Sequence, residues 1–268
     1  MTVPPIEPAS WHRGLVARWW SYFRDSGPEV AYFRRFVEAG QPALDVACGT
    51  GRLLVPYLEA GLDVDGVDVS PDMVALCTEA ARRVGRSPRV WCQPMHALDL
   101  PRRYRTVYVC GGLGLGSTRS QDALALRRIL EHLEPGGTLV LDNEVPYADP
   151  RRWGYWAERR SRDLPEADEP PVDRRTGPDG CEYALAARML ALDPLLQQEA
   201  WEIRARQWRD GVLVAEERHR LTVNPYFAGE MVLLLEQAGF VDVRLQGGYE
   251  DREPTPSDDF VVYVATRP

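Results

Sequence analysis

The stretch LDVACGTGRLLVPYLEAGLDVDGVDVSPDMV, residues 44–74, decides how this chain is read. It opens on a short apolar run of strand length, and Gly49 and Gly51 follow at once. RLLVPYLEAG has helical spacing and stops at Gly61, a residue suited to the left-handed end of a helix. LDVDGVDVS is a second strand, with Asp68 near its tip. Ser70 then caps a further helix, with Pro71 in the first turn. Glycines after a first strand let a ligand approach the main chain closely, and the helix N-terminus there favours anionic groups. A plain strand-to-helix turn would also account for a glycine pair.

The same alternation runs outward from this stretch. Residues 88–95 and 105–113 are strand-like, 120–133 are amphipathic, and 137–145 form another apolar strand. Strands alternating with helices at this spacing predict an α/β fold, a doubly wound and mostly parallel sheet of seven strands. Residues 10–39 predict two helices broken at DSGPE, so 1–40 are expected to form an N-terminal helical cap. Residues 147–180 are rich in proline and charge and read as a loop. From Glu182 to Val223 the period becomes two, with Trp201, Ile203 and Ala205 on one face and Glu202, Arg204 and Arg206 on the other. RDG at 209–211 is a hairpin signal. Residues 147–223 are therefore expected to be a loop plus an antiparallel β insertion after strand 5, either a substrate roof or a homodimer contact. The core is expected at 41–146 and 224–268, closing with a helix and an antiparallel edge pair.

At 268 residues the chain fits one large domain with an insertion. Apolar content of 44% with 27% charge predicts a packed globule. The net charge is −8, and every one of the 32 basic residues is Arg. Such an acidic chain repels phosphate backbones, so no nucleic-acid partner is expected. The two densest Arg runs, 102–105 and 151–162, read as solvated surface. Five cysteines without a C-x-x-C pair read as small core residues, with no metal site. MTVPPIEPASW lacks the basic and apolar regions of a signal peptide, and no run approaches the length of a membrane span. A cytoplasmic location without membrane attachment is the expectation.

The glycine turn selects among ligands. A dinucleotide loop would carry a third glycine where Leu54 stands, and Leu54 would crowd the close helix–strand packing. Asp45 lies inside the strand just ahead of the turn, where an acid suits an ammonium group better than two phosphates. Asp68 at the second strand tip can accept hydrogen bonds from both hydroxyls of a ribose. The ligand should carry a ribose and a cationic or zwitterionic arm, and S-adenosyl-L-methionine fits that description.

On these residues the chain resembles class I S-adenosylmethionine-dependent methyltransferases of the small-molecule type. LDVACGTG is similar to the family's acid-x-G-x-G-x-G loop, with Ala47 in place of the first glycine. LEPGGTLVL at 133–141 resembles its Pro-Gly-Gly turn into the fifth strand, and LLLEQAGF at 233–240 the helix before its sixth. The insertion resembles the extra sheet of glycine and sugar N-methyltransferases. The resemblance implies cofactor contacts at Asp45, Ala47, Gly49, Gly51, Asp68 and Val69. It implies Met73, Met95 and His96 on the adenine side, with Pro94 where an acid is usual, and a Gly111 carbonyl that holds the methionine ammonium.

It also implies in-line methyl transfer to an N or O atom of a small molecule. Amine acceptors need little beyond loss of a proton, whereas hydroxyls need a base. His96 is the histidine beside the cofactor region and a candidate base. Glu144, just past the fifth strand, is a candidate for catalysis and for substrate contact. Trp20 and Tyr22 are candidate substrate contacts, with core packing the competing reading. His132, at a helix end, is expected to be structural, as a cation against the dipole. His219 is expected to be exposed. NPYF at 224–227 resembles an amide-methyltransferase signature but leads into a late helix, so it is read as chance. The alternative to an enzyme is a non-catalytic cofactor-binding protein with a structural or regulatory role, kept open by Ala47 and Pro94.

Overall fold

A computed structural model describes residues 8–23, 26–158, 160–168 and 173–268. In chain order the helices are α1 (Gly14–Phe23), α2 (Pro28–Ala39), α3 (Leu54–Glu59), α4 (Pro71–Arg83), α5 (Arg119–His132), α6 (Pro150–Ala157) and α7 (Ala228–Ala238). The strands are β1 (Ala43–Val46), β2 (Val64–Asp68), β3 (Val90–Cys92), β4 (Tyr104–Val109), β5 (Leu133–Glu144) and β6 (Arg175–Thr176). They continue with β7 (Glu182–Asp193), β8 (Gln198–Arg209), β9 (Val212–Val223), β10 (Val241–Gly247) and β11 (Phe260–Thr266). The chain divides into two compact units. One comprises Asp25–Leu113, Arg119–Ala148 and Tyr226–Pro268; the other comprises α1, Gly114–Thr118 and Asp149–Pro225. The two helices of the expected N-terminal cap thus belong to different units, α2 to the first and α1 to the second.

The first unit is the doubly wound sheet that the sequence predicts. Its seven strands run in the order β10-β11-β5-β4-β1-β2-β3. β1 to β5 pair in parallel, and β10 and β11 close the sheet antiparallel to each other and to β5. Strands buried on both faces read as continuous apolar runs rather than as alternation, and all four residues of β1 are buried. Successive residues feed opposite layers. Leu44, Val107, Val109, Leu139 and Leu141 pack with α5 and α7 through Leu126, Ile129, Met231 and Leu235. Ala43, Val64, Tyr108, Val140 and Val262 pack with α2, α3 and α4 through Phe33, Tyr57 and Cys77. Arg102, in the first of the Arg runs, pairs with Asp63 and Asp65 and ties its loop to the start of β2.

The second unit is built on the sheet β6-β7-β8-β9. The expected hairpin is present: Asp210 (φ 50°) and Gly211 (φ 76°) form a two-residue turn with both central residues left-handed. Ile203 and Ala205 face α1, packing with Leu15, Val16, Phe23 and Tyr183. The opposite face is charged and partly covered. Arg204 is buried and pairs with Asp168 at 2.9 Å, while Arg188 pairs with Glu202 at 2.8 Å. The reason is that 147–180 is not simply a loop. Asp149 caps α6 by accepting from the backbone N–H of Arg151 and Arg152, and Pro150 occupies the first turn. The following segment adds Glu166, which bonds the Met189 backbone N–H at 2.7 Å.

Candidate active site

Strand β1 pairs with β2 on one side and β4 on the other, so the chain reverses its winding direction beside β1. Ligands of open α/β sheets bind at such a switch point, beyond the carboxyl ends of the strands. The turn after β1 is held in glycine-like geometry throughout: Ala47 at φ 61°, Gly49 at φ 54° and Gly51 at φ 88°. Ala47 therefore keeps the conformation of the glycine it replaces. Space is made for its methyl group on the neighbouring strand end. A Cβ on Gly112 would lie 2.6 Å from that of Ala47.

The two glycines of the turn do different work. Nothing lies within 4 Å of the position a Cβ would take on Gly49, and the same holds at Gly111, after β4 (φ 68°). Both expose main chain to open space. At Gly51 a Cβ would lie 2.9 Å from Val55 and 3.0 Å from Cys77, so that glycine serves the packing of turn against helix.

Asp68, at the tip of β2, is 8% exposed. Its Oδ2 accepts from the Gly49 backbone N–H at 2.9 Å and its Oδ1 from Ser70 at 2.8 Å. Burial raises its pKa, against the backbone N–H donors of Ser70, Gly49 and Val69. A carboxylate has about four lone-pair sites, so the observed bonds orient the group and still leave acceptor capacity for a diol. Ser70 also accepts from the Met73 N–H at 3.2 Å, which fixes the start of α4.

Two further buried acids lie at strand ends of the same sheet edge. Burial holds the Asp45 carboxyl well above the usual carboxylate range, opposed by Tyr108 and reinforced by the Asp68 charge. Asp142 in β5, also raised by burial, accepts from the Gly111 backbone N–H, from Tyr249 Oη at 2.6 Å and from the Cys110 thiol at 3.4 Å. Arg52, directly after the glycine turn, pairs with Glu29 of α2 and lies 3.4 Å from Cys110 Sγ. Three buried carboxyls, an open glycine turn and an exposed peptide at Gly111 fit a ligand with a sugar diol and a cationic arm. Asp142, Tyr249 and Arg52 were missed in the sequence. The one signal for Asp142 is an acid ending the apolar run GTLVLD.

The remaining expected residues fall as follows. Met73 is buried in the first turn of α4, and Val69 is 54% exposed beside Asp68. Met95 and His96 form a short 3-10 turn after β3, packed on α5, and His96 Nε2 is 3.4 Å from the Gln121 amide. Gln93 staples that loop to Asp99 through both its amide atoms. Glu144 is exposed at the end of β5. Trp20 and Tyr22 lie in the other unit. They are half-buried, with Trp20 against His12 and Tyr22 against Tyr183. His132 is structural but not as a cation: its Nε2 accepts from the Leu100 N–H at 3.0 Å and Nδ1 faces the Arg128 carbonyl at 2.8 Å, which defines a neutral ring. His219 is half-buried rather than exposed, 2.9 Å from Glu217. A cavity of about 550 Å³ lies within the second unit, lined by Arg188, Arg204, Glu202 and Asp168 among others.

Comparison with known proteins agrees with this geometry. Residues 43–137 match the family described as a methyltransferase domain. The chain is 32% identical over 123 residues to a dTDP-3-amino-3,6-dideoxy-alpha-D-glucopyranose N,N-dimethyltransferase of Streptomyces fradiae, covering 45% of this chain and 46% of that one. It thus spans about half the length of that curated relative. Among solved structures, the sugar N-methyltransferase KedS8 from Streptoalloteichus superposes with a TM-score of 0.67 at 21% identity, covering 100% of this chain and 96% of that one. The amino pentose methyltransferase CalS10 from Micromonospora echinaspora, solved with S-adenosylmethionine bound, gives 0.62 at 21%, covering 94% and 95%. The chain has the Rossmann-like class I methyltransferase fold. Within it, residues 43–137 match a methyltransferase domain, in the region where the motifs lie.

Proposed function

We propose that this protein is an S-adenosylmethionine-dependent methyltransferase acting on a small molecule, with the amine of a sugar the favoured acceptor. The observation that carries the reading is the Asp68 carboxylate, fixed by Gly49 and Ser70 N–H groups beside the open glycine turn. The relatives named above support the acceptor class, since two of them are methyltransferases of amino sugars by name.

In this reading Asp68 grips the ribose hydroxyls, with Val69 beside it. Met73, Met95 and His96 line the adenine. Main chain at Ala47, Gly49 and Gly51, together with Asp45, forms the floor, and the Gly111 carbonyl takes the methionine ammonium. The cofactor supplies an electrophilic methyl carbon for displacement in line with its sulfonium bond, leaving S-adenosylhomocysteine. The acceptor nitrogen contributes its lone pair and then gives up a proton, for which His96 or Glu144 is the proposed recipient. Positioning of the acceptor at near-attack distance carries most of the rate. Trp20 and Tyr22 are proposed acceptor contacts, and the β6–β9 unit is proposed to serve acceptor binding or self-association.

The test is transfer of labelled methyl from S-adenosylmethionine to nucleotide-linked amino sugars, alongside hydroxyl-only analogues. Label appearing on the amines alone supports the reading. Cofactor binding without transfer to amines, hydroxyls or a metabolite extract would favour the non-catalytic binder instead.

A further inference from the structure

Asp142 is deeply buried at the end of β5, separated from β1 by β4, and Asp68 bonds β1's turn without it. A buried carboxyl at a strand end needs donors. Asp142 takes three, and they are specific: the Gly111 backbone N–H, the Tyr249 hydroxyl and the Cys110 thiol. Two of these are consecutive residues of the β4 exit. The third comes from a distant turn after β10, where Gly248 (φ 62°) and Tyr249 (φ 58°) are both left-handed. A tyrosine in that region is strained and persists only where its surroundings over-determine it. Here the ring stacks on Phe260 at 5.8 Å and meets Tyr32 and Phe33 edge-on or tilted. The aromatic cage and the strained turn hold one hydroxyl at 2.6 Å from one carboxylate oxygen.

The consequence lies at Gly111. Its peptide N–H is tied inward to Asp142, while open space lies above its α-carbon. A glycine at φ 68° can swing its peptide planes with little steric penalty, so some external bond must select one orientation. We infer that Asp142, itself held by Tyr249, is a positioning residue that fixes the Gly111 peptide for the amino-acid arm of the cofactor. This rests on the proposed function and names residues that its motifs do not include. Asp142 and Tyr249 act through Gly111 and touch no reacting atom.

The test compares two ligands by calorimetry, the second read by competition at millimolar concentration: S-adenosylhomocysteine, which has the amino-acid arm, and 5′-methylthioadenosine, which lacks it. Asp142→Ala and Tyr249→Phe should weaken S-adenosylhomocysteine about tenfold or more, the scale of a charge-assisted hydrogen bond, with methylthioadenosine unchanged. Asp142→Asn keeps an acceptor oxygen for the Gly111 N–H and should lose less than Asp142→Ala. Should Asp142→Ala fail to fold, Tyr249→Phe, which removes only a hydroxyl, carries the same comparison. Equal losses for the two ligands, or no loss for either in folded variants, would overturn the inference. A wild-type protein that binds neither ligand would overturn the proposed function itself, and Asp68→Ala weakening both ligands while Tyr249→Phe weakens neither would sink the positioning role alone.

Discussion

Ala47 shows how one departure from a motif is absorbed. A left-handed backbone costs an alanine about 1 kcal/mol or more relative to glycine, and the turn accepts that cost. The methyl group is accommodated because Gly112 has none: side chains on both would place two carbons 2.6 Å apart. Gly112 is not in a left-handed conformation, so its need for glycine comes from this contact and not from backbone freedom. Gly112→Ala should therefore destabilise by about 1–3 kcal/mol through overpacking. Ala47→Gly should be neutral or stabilising, and the double variant should recover most of the Gly112→Ala loss. Denaturant midpoints of the four proteins give the coupling directly. Additive effects would mean that the two positions do not share this space. Ala47 is visible in the sequence as an exception, whereas its partner is not, because Gly112 follows a different strand about 65 residues on.

At the level of elements, the parts that place the site were the most legible. Ser70 and Pro71 announce the start of α4, and the structure gives Ser70 the expected cap. The cap is tied to the site, since the same residue's N–H bonds Asp68. Ser70→Ala should cost about 1 kcal/mol on urea unfolding, with the Asp68 bond kept because it uses the main chain. A loss much larger than this would mean that the hydroxyl also holds the carboxylate. The RDG hairpin was equally legible, because Asp-Gly supplies the two left-handed residues that a type I′ two-residue turn requires. Helix α6 was not predicted, although Asp149-Pro150 is a cap and first-turn pair of the same kind as Ser70-Pro71. Proline and charge density obscured it. The face of β8 bearing Glu202 and Arg204 reads only as the charged side of an alternation, and no local pattern reveals that Asp168 reaches across to pair with Arg204.

On the scale of the whole molecule, the chain joins a sheet buried on both faces to a second unit whose one face is apolar and whose other is a lattice of ion pairs. The fold class, and Asp68 as the candidate ribose acid, could be read from residues 44–74. The acids that complete the strand-end cluster could not, because Asp142 gains its meaning from β4 and from Tyr249, far away in sequence. Among the described residues no helix is long and apolar enough to cross a membrane. The net charge of −8 opposes binding to phosphate backbones. The proposed function turns on this site taking an adenosyl group seated by Asp68. Titration of S-adenosylhomocysteine into the wild type, Asp68→Ala and Glu144→Ala by calorimetry tests it most directly. Saturable binding in the wild type and in Glu144→Ala, weakened about tenfold or more in Asp68→Ala, is the predicted result; unchanged affinity in Asp68→Ala would contradict it.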